Sequence, residues 1–157
     1  MITEQNLISK DNFMKGVLYL LHETFEGSPA QGSAYLDRGV GLFNTLDNIS
    51  AEQASHEVNS MTIAAQTEHL KFYLDRLCEF INGQTEKVNW EESWLIEDVN
   101  RDEWIALRDG LKKSYQGVLQ CLANVTEWNE ERIGEAMAML AHTAYHFGAI
   151  RQILKAV

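Results

Sequence analysis

An all-α fold, a four-helix bundle with two longer connections, is what this sequence predicts, and three observations carry that reading. Proline occurs once in 157 residues, at Pro29, which favours long helices over a turn-rich β-architecture. Four long stretches place apolar residues three, four and seven apart, the period of one helix face. No stretch has the alternation of a half-buried strand, and no repeat period is visible. At 45% hydrophobic residues, the chain has enough apolar material for one domain over residues 1–157 without a disulfide staple.

The elements follow in order. A first helix is expected from roughly Ile2 to Phe25, with Leu7, Met14, Leu18, Leu21 and Phe25 on one face. Thr3 and Asn6 offer N-terminal capping, and Glu26-Gly27-Ser28-Pro29 ends the helix. Gly32, Gly39 and Gly41 interrupt the segment to Ile49, which reads as a loop holding one short helix. Ser50, with Gln53 three residues on, has the pattern of a capping box. It starts a second helix expected to run to Asn82 and stop at Gly83. Gln84 to Arg101 is a long connection with Trp90 and Trp94 among acids. It is too aromatic for a flexible linker and is expected to pack over one end of the domain. The third helix is expected from Asp102 to Ala123, with Trp104, Leu107, Leu111, Tyr115, Val118 and Leu122 in one stripe. The fourth runs from Asn129 to Lys155, with acids leading and bases closing it as the helix dipole prefers. It carries two apolar stripes, which predicts a central position.

Charge and composition exclude several functions. The formal charge is −10, with 13 Lys and Arg against 23 Asp and Glu. A nucleic-acid binder needs a basic face, and docking on anionic lipid needs one too. Two cysteines, Cys78 and Cys121, have no CxxC partner and read as buried thiols in a reducing compartment. The first residues lack an apolar signal core, and no run is long enough to cross a bilayer. A cytoplasmic location is the expectation.

The chemistry lies in Ala136–Ile150, which has no formally charged residue but contains His142 and His146. Four residues apart on a helix, the two rings stand one above the other and suit one metal ion. Burying two imidazoles among Met, Ala and Ile is costly unless each finds a partner. A metal would satisfy both. The third ligand would come from another helix, with His69 the best candidate. Three imidazoles leave a zinc-like ion with an open position, where a water is acidified or a substrate thiol is held as thiolate. His22 and His56 read as surface histidines. Glu68 reads as a solvated acid, pointing about 100° from His69. Tyr73 and Tyr145 read as packing residues, Tyr73 also being a weak catalytic candidate.

Glu68-His69-Leu70 and the segment His142-Thr143-Ala144-Tyr145-His146-Phe147-Gly148-Ala149-Ile150, with the length and four long helices, resemble the DinB/YfiT-like superfamily of four-helix-bundle metalloproteins. The resemblance covers nearly the whole chain. It implies His69, His142 and His146 as ligands to a divalent ion, zinc or nickel. It also implies a small-molecule substrate and transfer chemistry using a low-molecular-weight thiol such as bacillithiol or mycothiol. Ala149 departs from the pattern, since many members carry glutamine there. The competing readings are a metal-dependent hydrolase and a non-catalytic, metal-stabilised homodimer with Trp90 and Trp94 in its interface.

Overall fold

The computed structural model describes residues 9–157, and every regular element within them is helical. Helix α1 spans Lys10–Glu26. Its N-cap is Ser9, whose hydroxyl accepts from the Asn12 N–H. The helix therefore does not run on continuously from Ile2, and the capping role assigned to Thr3 and Asn6 lies outside the described residues. Gly27 ends it at φ 98°. A Cβ on Gly41 would stand 2.6 Å from the Gly27 nitrogen, so only glycine lets the returning chain pass the end of α1 this closely.

The loop between Gly27 and Gly41 is organised by a buried carboxylate. Glu23 is fully buried and accepts from the backbone N–H groups of Ala34 (2.7 Å), Tyr35 (2.9 Å) and Leu36 (2.7 Å). Burial alone would push its pKa up. The three N–H donors outweigh that and hold it below the ordinary carboxylate value.

The short helix expected in this region is α2, Leu42–Asp47. The Ser50–Gln53 capping box forms as read, but the helix it starts is only α3, Ala51–Ser55. One long helix to Asn82 was expected here. Instead the chain makes a tight turn, with Val58 and Met61 exchanging two backbone hydrogen bonds and Asn59 and Ser60 at φ 51° and 62°. Thr62 then caps a fresh helix, α4, Ile63–Ile81. Thr62 is the local reason for the break, because its hydroxyl satisfies the Ala65 N–H that a continuous helix would have bonded internally.

Helix α5 spans Arg101–Asn124, opened by a capping box between Asn100 and Glu103. Helix α6 spans Glu130–Leu154 and is capped by Asn129. The apolar stripe through Met137, Leu140 and Ala144 is not fully buried: Met137 is 56% exposed, and Leu140 and Ala144 are half-buried. The central helix is α4, which packs on α5, α6 and α3, whereas α6 meets α4 and α1. Leu21, Phe25, Leu42, Ile63, Leu70, Leu74, Leu111, Tyr115, Met139 and Ile150 form the middle of one continuous core. Cys121 is buried and Cys78 only half-buried, and both are free thiols.

The connection between α4 and α5 does not close one end. It runs back along α4 as a strap, antiparallel to the helix. Trp90 meets Phe80, Tyr73 and Phe72. Ser93 meets His69, the N–H groups of Leu95 and Ile96 donate to Glu68, and the Glu97 carbonyl accepts from Thr62. Each successive contact is nearer the start of α4. The middle of the strap is one 3₁₀ turn, Trp90–Trp94.

Candidate metal centre

Under the strap, α4 and α6 bring His69, His142 and His146 together. One ligand atom from each lies within 4.8 Å of the other two. The reason is local. Gln66, His69 and Tyr73 recur at three and four on α4, and Met139, His142 and His146 do so on α6, so the two packed faces place all three rings in one plane of contact. The rings stand 4.3 to 4.9 Å apart between centroids and are inclined by 43° to 57°. Mutually tilted imidazoles aim their edges at a common point.

Hydrogen bonds set which nitrogen each ring offers. Ser93 spends its proton on the Trp90 carbonyl at 2.6 Å. Its oxygen therefore accepts from His69 Nδ1–H at 2.7 Å. The lone pair of His69 is then on Nε2. Gln66 Oε1 accepts from His146 Nδ1–H at 2.5 Å, leaving the Nε2 lone pair of that ring free as well. His69 Nε2 and His142 Nε2 are 3.0 Å apart. On a tetrahedral ion with bonds of about 2 Å, two nitrogens stand roughly 3.3 Å apart.

Without an ion this arrangement does not satisfy itself. His142 Nδ1 is buried and has no partner. If His142 carries its proton on Nε2 and donates to His69, Nδ1 is a stranded acceptor. If the proton is on Nδ1, two lone pairs face each other at 3.0 Å. A cation taking the Nε2 lone pairs removes the second conflict. The residues present therefore fit a divalent ion. Carboxylates are absent from the group, and neutral imidazoles suit a transition metal better than magnesium or calcium.

The rings are also held neutral. Burial, reinforced by His146 and His69, pushes His142 down to about 3. Burial and His69 push His146 down to about 4, and burial lowers His69. At neutral pH, protons do not compete for the site.

Aromatic faces complete the walls. Trp94 stacks on His69 at 4.0 Å and 12°, and Tyr73 lies flat on His142 at 3.4 Å and 6°. Tyr73 thus acts through its ring face. Glu68 is not a free surface acid, because it grips the strap whose Ser93 orients His69. His22 and His56 are exposed and are not part of the cluster, and His22 bonds the Tyr115 hydroxyl at 2.7 Å. His146 lines an open cleft of about 460 Å³, together with Gln66, Trp94, Tyr145, Ala149 and Gln152.

Gln66, Ser93 and Trp94 were not singled out in the sequence as partners of the ligands. Gln66 had a signal, standing one turn before His69 on the same face. Ser93 had none, since its role depends on where the strap lies. No helix among the described residues is long and apolar enough to cross a membrane. The chain matches no protein-family model, no curated protein and no solved structure.

Proposed function

We propose that this chain is a metal-dependent enzyme of the DinB/YfiT-like kind, a four-helix bundle of α1, α4, α5 and α6 with His69, His142 and His146 as ligands to zinc or nickel. The observation that carries the reading is the orientation of the rings: Ser93 and Gln66 occupy the outer nitrogens of His69 and His146, leaving the inner ones to converge. Such outer partners fix the tautomer and direction of a ligating imidazole.

The reaction best supported is transfer of a small thiol to an electrophilic carbon. A divalent ion, when bound, supplies a positive charge that favours the thiolate over the thiol. The sulfur bonds to the carbon, the leaving group departs with the bonding pair, and the thiol proton passes to solvent. The chain's own residues hold the three imidazoles, exclude water from the His69 side with Trp94 and Tyr73, and leave an approach beside His146. The test is turnover of chlorodinitrobenzene with a panel of thiols by protein loaded with zinc or nickel. Rates at least tenfold above His146→Ala are expected. Equal rates would remove the enzymatic reading.

A second reading, a non-catalytic metal-stabilised homodimer, draws on the outer face of α6, where Met137 and Tyr145 are 56% and 74% exposed. Sedimentation equilibrium of wild type beside Met137→Lys tests it. A dimer that the lysine disrupts would favour this reading, and a monomer in both would end it.

A further inference from the structure

The cleft beside His146 differs in character from the rest of the surface. The chain has a formal charge of −10, yet none of the ten residues lining this cleft is Asp, Glu, Lys or Arg. Its walls are the aromatic rings of Trp94 and Tyr145 with Met61 and Ile153, and its polar residues, besides His146 and Tyr145, are the amides Asn59, Gln66 and Gln152.

We infer that this cleft binds an uncharged small molecule with an aromatic or branched aliphatic body and one or two hydrogen-bonding groups, with its reactive end toward His146. Chemistry excludes the alternatives one at a time. A phosphate or carboxylate needs a cation or a cluster of N–H donors; away from the His146 end the walls hold no Lys or Arg, and the net charge of the protein repels an anion. A cationic ligand needs an acid or an aromatic cage; no carboxylate reaches the lining, and its two rings, Trp94 and Tyr145, fall short of a cage. Amides pair with neutral polar groups, while the aromatic and aliphatic walls reward burial of apolar surface at about 25 cal/mol per Å². The volume of about 460 Å³ admits one molecule of that size class.

The rim is built to keep this shape. Asn59 and Ser60 both have left-handed backbone (φ 51° and 62°), held by the paired bonds between Val58 and Met61. Such conformations are unfavourable for residues with a side chain and persist where the surroundings demand them. The turn that breaks α3 from α4 is what carries Val58, Asn59 and Met61 to the cleft. Ala149, one turn beyond His146, is small and leaves the mouth open.

The inference rests on the metal-centre reading only for the reactive end of the ligand. For that reading, it narrows the thiol cosubstrate to one without carboxylates. The test uses two dyes with the same aromatic body, neutral N-phenylnaphthylamine and anionic anilinonaphthalene sulfonate, titrated by fluorescence into the full-length protein before and after chelation. The neutral dye is expected to bind at least tenfold tighter, with or without metal. Ala149→Trp should fill the cleft and weaken it at least tenfold, and Gln152→Glu, at an exposed position, should weaken it severalfold without disturbing the fold. Benzyl mercaptan should displace the dye and mercaptosuccinate should not. Equal binding of the two dyes, or neutral-dye binding unchanged in both variants, would overturn the inference. Because the dye arm does not require metal, a protein that binds no ion would defeat the metal centre and leave the cleft to be judged separately.

Discussion

Two buried polar sites in this molecule are opposites. Glu23 is buried between α1 and the loop it organises, and the histidine cluster lies between α4 and α6. Glu23 is complete, since its charge is met by three backbone N–H groups at 2.7 to 2.9 Å. The cluster is incomplete, since His142 Nδ1 has no partner in either tautomer, and with the proton on Nδ1 two Nε2 lone pairs face each other at 3.0 Å. A folded protein satisfies nearly all of its buried polar groups. Glu23 therefore reads as architecture, and the cluster as a place that something else completes.

The largest expected effect tests the first half of the contrast. Glu23→Ala strands three backbone donors and should destabilise the protein by about 3 kcal/mol in chemical denaturation. His142→Leu keeps the volume and removes the unsatisfied ring. In metal-free protein it should cost less than about 1 kcal/mol, because replacing unpaired polar groups by apolar ones is nearly neutral. A large loss from His142→Leu would mean that the cluster is already satisfied without an ion.

Acid separates the two sites next. The histidines have folded pKa values below their unfolded value, with His142 at about 3 and His146 at about 4. As pH falls below the ordinary imidazole value of 6.5 the unfolded state takes up protons that the folded state refuses, so stability drops until the folded values are reached. Glu23 is also depressed, so its contribution is present above the unfolded value of 4.5 and is lost only below it. Thermal melts of metal-free wild type should therefore decline from about pH 6.5, and His142→Leu should make that decline shallower, with His146 and His69 still contributing. An unchanged profile would remove the claim of buried neutral imidazoles.

Smaller effects test the supports. Ser93→Ala frees the outer nitrogen of His69 and should weaken metal binding about 10- to 100-fold, read by competition with a chromophoric chelator. Glu68→Ala releases the two N–H groups it holds and should cost about 1 kcal/mol. It should also speed hydrogen exchange at Leu95 and Ile96, with a lesser loss of metal affinity transmitted through Ser93. Exchange unaltered there would mean that the strap is held by its tryptophans alone.

The site was legible in the sequence where spacing decides geometry. His142 and His146 at four residues, and the stripe holding Met139, led to the two ligands on α6. The helical content and the ends at Ser50, Gly83 and Asn129 were legible too, because capping chemistry is local. What escaped was relational. Thr62 opens a helix inside a run that otherwise reads as continuous, and only tertiary contact with Glu97 shows why it wins. The strap looked like an end cover, because nothing local says that Glu68 and His69, adjacent on α4, both reach for it. The wide apolar coverage of α6 implied a central helix. Part of that coverage in fact lies at the surface: Met137 is exposed, and Leu140, Ala144 and Ala149 are half-buried.

The central claim, that the cluster is completed by a cation, is tested most directly by elemental analysis of tag-free protein, wild type beside His146→Ala. The account predicts one divalent transition-metal ion per chain in the wild type and less than about a tenth of that in the variant, by the loss of one of three ligands. A folded wild type that holds no stoichiometric ion after incubation with zinc or nickel would contradict it.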